Sequence, residues 1–315
     1  MDHKKTISVV ISTYRRDAML IRALDSLASQ TMNDFEIIVV DDNDIPEWNC
    51  RVAEIVEAFR RCHPLIPLIY ICIRENLGSA MARNQGIETA RGEYVTFLDD
   101  DDYYLPEKLQ RQLDFMRSNG LDYSVTDLEL YFENEMLSER RIRQGVDRLN
   151  RDELLKYHFL NHITGTDTMM FRKEYLHQIG MFPPINIGDE FYLMQRAIDG
   201  GGEFGCLAGC DVRAYVHTGE GGLSSGQGKI DGENQLYVYK KKFFHRFDAR
   251  SVRGIRMRHY AVLAFAGLRK GSYFFCAKNA LIGFLCAPVQ SVQMLRNRRR
   301  SRTCAEAEKR DVYSA

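Results

Sequence analysis

Tyr94-Val95-Thr96-Phe97-Leu98-Asp99-Asp100-Asp101-Asp102 is an apolar, strand-like run that ends in four consecutive acids. The run is short and rich in β-branched and aromatic residues, so it reads as a buried strand whose charge begins where the strand stops. Four adjacent carboxylates repel one another, and a divalent cation among them removes the conflict. Mg²⁺ and Mn²⁺ take oxygen ligands, and Mg²⁺ is typically held by one or two carboxylates plus substrate phosphates. A solvated acidic turn ahead of a helix near Pro106 accounts for the same residues, because aspartate favours helix starts. Taken alone, the run leaves both readings open.

Its flanks decide the fold class. Upstream lie further short runs at Ile7–Ser12, Phe35–Val40 and Leu65–Cys72, separated by helix-period segments at Ala18–Ser29, Arg51–Arg61 and Ser79–Ala90. Strands alternating with helices of this length predict βαβ units and a largely parallel sheet. Ligands bind such sheets outside the carboxyl ends of the strands. Those ends read Thr13-Tyr14-Arg15-Arg16, Asp41-Asp42-Asn43-Asp44, Arg74-Glu75-Asn76-Leu77-Gly78 and Asp99 to Asp102. All four are polar, and the order predicts that they converge on one crevice. The first turn has no Gly-x-Gly-x-x-Gly, which removes the main support for a nicotinamide or flavin enzyme. No Gly-x-x-x-x-Gly-Lys-Ser/Thr is present either, which argues against an ordinary P-loop NTPase.

Three further features bear on chemistry. A carboxylate at Asp42, after the second strand, can accept hydrogen bonds from a base or ribose. In Asn76-Leu77-Gly78-Ser79-Ala80-Met81-Ala82-Arg83 a loop enters a helix with an arginine one turn in. Its guanidinium fork suits a diphosphate, although a solvated surface arginine fits the stretch equally. In Gly188-Asp189-Glu190 two acids open a helix. Capping is the commoner role for such a pair. One of them acting as general base toward an acceptor hydroxyl is the functional alternative.

Together these pieces resemble the inverting family 2 glycosyltransferases of GT-A fold, over roughly Lys5 to His217. The resemblance is carried by Val9-Val10-Ile11-Ser12-Thr13-Tyr14, Val39-Val40-Asp41-Asp42, Asn76-Leu77-Gly78 with Ala82-Arg83-Asn84, Phe97-Leu98-Asp99-Asp100-Asp101, and Asp189-Glu190 with Arg196. It implies an α/β fold: a GT-A-like, Rossmann-type mixed and mainly parallel sheet with flanking helices. It also implies roles. Thr13, Tyr14 and Asp42 would line the base pocket, with Asn76 and Arg83 on the nucleotide-sugar and diphosphate side. Asp99 and Asp100 would reach ribose and metal, and Asp101 would ligate a divalent cation, Mn²⁺ or Mg²⁺. His217 would stand near metal or phosphate, a satisfied structural histidine being the alternative. The family usually reads Glu-Asp where this chain reads Asp-Glu, so position makes Glu190 the base and Asp189 its neighbour. The donor implied is a nucleotide-diphosphate sugar, by expectation a UDP-sugar, and the acceptor a glycan or a lipid-linked hydroxyl in surface-polysaccharide or lipid-linked oligosaccharide synthesis. The Gln-x-x-Arg-Trp motif of processive members is missing, since the one tryptophan is Trp48, so a single sugar is transferred.

The 315 residues carry no net charge, but the balance is uneven. Met1 to Asp248 holds 29 Lys and Arg against 40 Asp and Glu, whereas Ala249 to Ala305 holds 12 basic residues and no acid. Within that basic stretch Tyr273–Leu295 is apolar but broken by Lys278, Asn279 and Pro288, and Arg296, Arg298, Arg299, Arg300 and Arg302 follow. A bilayer span wants about 20 mainly apolar residues. An interfacial helix on an anionic membrane therefore fits better than a span, and a helical subdomain packed on the catalytic domain is the alternative. No nucleic-acid partner is expected, because aromatics do not interleave with the arginines. The domains expected are 1–222, catalytic, and 223–315, helical and basic, with Gly219 to Gly232 a glycine-rich loop at the join. Eight scattered cysteines form no Cys-x-x-Cys pair. With a polar Met1–Thr6 and no signal-like hydrophobic segment, they predict free thiols and a cytoplasmic protein, peripheral on the inner face of the membrane. Two other classes compete with this reading. One is a nucleotidyltransferase, which wants a basic Gly-rich turn after the first strand. The other is a membrane scaffold with a degenerate transferase domain, against which the intact acids argue.

Overall fold

Residues 5–143, 145–163, 165–185, 187–216 and 226–294 are described by a computed structural model. In chain order the elements are β1 (Ile7–Thr13), α1 (Asp17–Ala28), β2 (Phe35–Asp41), α2 (Pro46–Cys62), β3 (Leu68–Cys72), α3 (Ser79–Thr89), β4 (Tyr94–Phe97), β5 (Tyr103–Tyr104), α4 (Lys108–Ser118), β6 (Tyr123–Thr126), β7 (Leu128–Phe132), β8 (Leu137–Arg141) and α5 (Arg151–Asn161). There follow β9 (Met170–Arg172), α6 (Lys173–Gln178), α7 (Asp189–Gly200), β10 (Phe204–Leu207), β11 (Val212–Val216), α8 (Gly226–Lys241), α9 (Ala249–Arg269) and α10 (Tyr273–Cys286), and last α11 (Pro288–Met294).

A seven-stranded sheet runs in the order β10-β6-β9-β4-β1-β2-β3. β3, β2, β1 and β4 are mutually parallel, and β9 alone runs against its neighbours β4 and β6. The α/β, mainly parallel fold expected from the sequence is the one observed. β1 and β2 are almost entirely buried, which is why their apolar runs are unbroken: helices cover both faces of the sheet. α3 lies so close to β1 that a Cβ on Gly86 would sit 2.3 Å from Val10 Cγ1, so only glycine fits there. A second, four-stranded sheet has the order β5-β11-β7-β8.

Contacts divide the chain into two compact units. One comprises Met1–Tyr131, Arg140–Arg151 and Ile163–Tyr215, and the other Phe132–Glu139, Asp152–His162 and Val216–Ala315. The units interleave along the chain instead of parting at one cut near residue 222. α5 accounts for part of this. Within the second unit its Phe159 packs on Phe243 and Phe247, with ring centroids 5.4 and 5.0 Å away, and its Lys156 meets Asp248 at 2.7 Å.

The stretch from Asp122 to Tyr131 breaks at Asp127 into β6 and β7, which belong to different sheets. The Asp127 carboxylate accepts the backbone N–H groups of Arg143 and Gly209 at 2.8 and 3.2 Å, which fixes the break. The latter part of the glycine-rich segment, from Gly226, is helix α8. Each glycine costs a helix roughly 1 kcal/mol. Tertiary packing of the next turns outweighs that: Glu233 pairs with His259 at 3.0 Å, and the Tyr237 ring stacks on His259 at 3.9 Å.

Candidate active site

The parallel order β3-β2-β1-β4 brings the four polar strand ends to one edge of the sheet, as the sequence order predicts. At that edge the turn after β1 is tied to the acids after β4. Thr13 Oγ1 donates to Asp100 Oδ2 at 2.7 Å, and Arg16 holds Asp100 at 3.2 Å and also pairs with Asp101. The Asp101 backbone oxygen accepts from Arg22 at 2.5 Å. Burial and the Asp101 charge push the Asp100 carboxyl up to about 7, with Arg16 pulling the other way. Tyr14 donates a long hydrogen bond, 3.4 Å, to Asp44, and the Arg15 guanidinium covers its ring at 4.8 Å.

Asp42 is buried, and its two carboxylate oxygens accept the N–H groups of Leu77 and Gly78 at 2.8 and 2.9 Å. In this structure it therefore clamps the β3–α3 loop, in which Asn76 Oδ1 also accepts from Gly78 N at 3.1 Å. Burial raises the Asp42 carboxyl, and the two backbone donors oppose the rise. Its neighbour Asp41 is saturated by Asn43, Asn49 and Tyr70.

Arg83 is 6% exposed and grips two carboxylates at once: Asp99 at 2.6 Å and Asp189 at 2.7 Å. Burial opposes its charge, but the two acids hold its pKa above the usual arginine value. A residue read from sequence as a diphosphate contact is thus also the link between the β4 acids and the start of α7. Asp189 is buried on that link, and Glu190 beside it is half-buried. Burial and then the Asp189 charge push the Glu190 carboxyl up to about 8.

The densest group of acids includes one residue that sequence reasoning missed. Asp99, Asp102 and Asp167 each offer a carboxylate oxygen within 4.8 Å of the others. Asp167 Oδ1 accepts the Asp99 N–H at 2.5 Å, and Asp102 accepts Tyr215 N–H at 2.8 Å. Burial and the Asp99 charge push Asp167 up to about 7, and burial with the Asp167 charge pushes Asp102 well above the usual range. Lys108, fully buried below, donates to Thr96 at 2.7 Å, and burial holds it well below the usual lysine pKa. The raised values show that the three carboxyls resist ionising together, a divalent cation would favour their ionised forms, and an all-oxygen donor set suits Mg²⁺ or Mn²⁺. Asp101, implied by the resemblance as the ligand, pairs with Arg16 in this structure. Asp167 escaped sequence reading because it precedes an antiparallel strand. Its amino end, not its carboxyl end, lies at the crevice edge. The one signal was the polar stretch Gly165-Thr166-Asp167-Thr168 before an apolar run. His217 lies outside the described residues.

Comparisons with known proteins bear on the family and the fold. The family model for glycosyl transferase family 2 matches residues 8–180. A putative teichuronic acid biosynthesis glycosyltransferase of Bacillus subtilis, TuaG, is 30% identical over 178 residues, covering 56% of this chain and 66% of its own length. The chain spans 59% and 66% of the length of the first two curated relatives it matches. Among solved structures, Staphylococcus aureus TarS 1–349 in complex with UDP-GlcNAc superposes with a TM-score of 0.57 at 17% identity, covering 87% of this chain and 89% of that one. The mannosyltransferase PcManGT of Pyrobaculum calidifontis, in complex with GDP-Man and Mn²⁺, gives 0.56 at 16% identity, covering 92% and 88%. With the sheet order, the acid-lined edge and the family match together, the chain belongs to glycosyl transferase family 2 and has the GT-A fold.

Proposed function

We propose that this chain transfers one sugar from a nucleotide-diphosphate sugar, a UDP-sugar first, to a hydroxyl of a glycan or lipid-linked acceptor, with inversion. The observation that carries the reading is Arg83, which joins the β4 acids to the helix that presents Glu190. Donor side and acceptor side are thereby held in one rigid arrangement, which is what a single displacement needs. Glu190 takes the proton from the acceptor oxygen as that oxygen bonds to the anomeric carbon. The bond from that carbon to the diphosphate oxygen breaks, and its electron pair leaves with the nucleotide. Asp99, Asp102 and Asp167 would hold a divalent cation, whose chemistry is to neutralise charge on the leaving diphosphate. Asp189 and Arg83 position the base helix. Contact of Arg83 with the diphosphate requires it to release one carboxylate. Thr13, Tyr14, Asp42 and Asn76 shape the nucleotide side, Asp42 through the loop it clamps. In this reading the first unit is the catalytic part and the second an appended helical region.

Support for donor and cation comes from the complexes of TarS with UDP-GlcNAc and of PcManGT with GDP-Man and Mn²⁺. Support for a surface-polysaccharide acceptor comes from TuaG and from the Rhizobium meliloti succinoglycan biosynthesis protein ExoO, 24% identical over 299 residues. The test is nucleotide release from a panel of UDP- and GDP-sugars, with Mn²⁺ or with chelator. A UDP-sugar hydrolysed only with metal is the expected result. Absence of release from every donor, by protein that melts cooperatively, overturns the reading.

A further inference from the structure

α10 is built inside out. Against α9 it buries Asn279 and Gly283, while Phe274 is 84% exposed, Leu285 69%, Leu281 60% and Phe284 46%. α11 repeats the inversion, burying Ser291 and exposing Val289 and Val292. The inward polar groups are satisfied within their own helices: Asn279 donates to Phe275 O at 2.8 Å, and Ser291 to Ala287 O at 3.0 Å. The contact with α9 is made close by small residues. A Cβ on Gly267 would fall 2.7 Å from Phe275 Cδ1, and one on Gly283 3.3 Å from Tyr260 Cβ. A helix that meets water turns its polar side outward. Small residues at the helix contact with apolar side chains facing out are the arrangement that lipid selects. An exposed apolar surface of this continuity marks an interaction site.

We propose that the outward face of α10 and α11 inserts into one leaflet of an anionic bilayer. No single described helix is long and apolar enough to cross a membrane, and α10 and α11 are bent by 119° at their junction, a geometry that also suits a helix pair lying in one interface. Charge chooses the occupant. Ala249 to Ala305 contains 12 basic residues and no acid, so two copies of this segment would repel, whereas anionic headgroups complement it. Lys278 lies on the outward face between Phe274 and Leu281, where its stem can stay in the apolar layer while the ammonium reaches the headgroups.

The experiment needs neither donor nor acceptor, so it stands apart from the proposed reaction. The full chain is sedimented with phosphatidylcholine vesicles, with or without phosphatidylglycerol, at low and high salt. Wild type is expected to bind the anionic vesicles more tightly than the neutral ones, and salt to weaken that binding. The double variant Phe274→Glu with Leu285→Glu should lose about tenfold or more in vesicle affinity, with unchanged circular dichroism. Three results overturn the proposal: wild type stays in the supernatant with anionic vesicles, the double variant binds as well as wild type, or the double variant only dissociates a dimer of a protein that ignores vesicles.

Discussion

The acid edge of the first unit and the outer face of α10 in the second depart from the ordinary rules of burial in opposite senses. At the first, Asp100, Asp102, Asp167 and Asp189 are ionisable groups withdrawn from water. At the second, Phe274 and Leu285 are large apolar groups given to it. Charges are seldom buried unless paired or bound to metal, and large apolar patches are seldom exposed without a partner. In the function and the inference proposed above, each departure is where a component binds: a cation and a phosphate in one place, lipid in the other. Sequences that specify a fold break their own rules mainly at functional sites. The comparison therefore makes a joint claim, that supplying the component should relieve the cost at each site.

The largest effect is expected at the acid trio. Asp167→Asn should lower Mn²⁺-dependent transfer by about 10³–10⁴-fold, because a metal on a leaving diphosphate contributes several kcal/mol. Asp101→Asn should lose less, since Asp101 is already neutralised by Arg16. The sign for stability is the reverse. The Asp167 carboxyl is raised to about 7 in the folded chain, against about 4 for an unperturbed aspartate. Its contribution is therefore fully present below about pH 4 and is lost as pH rises toward 7 and beyond. Metal-free wild type should melt at a lower temperature at pH 8 than at pH 5.5, Mn²⁺ should reverse part of the loss at pH 8, and metal-free Asp167→Asn should lack part of the slope, the rest belonging to Asp100, Asp102 and Glu190. A melting temperature indifferent to Mn²⁺ would leave the trio an ordinary acidic cluster.

A second effect separates the two acids at the start of α7. Glu190→Gln should cost about 10²–10⁴-fold in turnover, the usual range for a general base, with donor affinity nearly unchanged. Asp189→Asn should cost less in turnover and show instead as weakened stability, because it leaves the buried Arg83 with one carboxylate. With its carboxyl pushed up to about 8, Glu190 must lose a proton to act, so kcat/KM should rise with pH up to about 8 and then level. The reverse ranking, in folded variants that bind donor normally, transfers the role to Asp189.

How much of this was legible in the sequence differs between the two regions for a physical reason. β1, β2 and β4 were readable because strands covered on both faces write themselves as unbroken apolar runs, and their order alone placed Thr13, Asp42 and Asp99 at one edge. β9, three residues long and antiparallel, has no such signature, so Asp167 at its approach was invisible. What Arg83 grips was equally hidden, because Asp189 lies far away in the chain. In the second region the sequence showed an apolar, basic stretch. Composition cannot tell a core helix from an inverted one, since that depends on which face meets α9.

The smallest effect tests that inversion directly, in solution without vesicles. In a soluble helix Leu285 would be a core residue, and replacing it by glutamine would cost several kcal/mol. On the outward face of α10 it is exposed, so Leu285→Gln should change stability by no more than about 0.5 kcal/mol. Gly267→Ala in α9 makes the opposite case. Helix propensity alone predicts a gain of about 1 kcal/mol. The added methyl would sit 2.7 Å from Phe275 Cδ1 and 3.2 Å from the Cys276 backbone nitrogen, so α10 must move away from α9 to admit it. Overpacking of this kind costs about 1–3 kcal/mol and, set against that gain, should leave a net loss of about 0–2 kcal/mol. Denaturant unfolding of both variants measures the difference. If Leu285→Gln unfolds the chain as a core substitution does while Gly267→Ala stabilises it, the outward face of α10 is covered in solution and the contrast between the two regions fails.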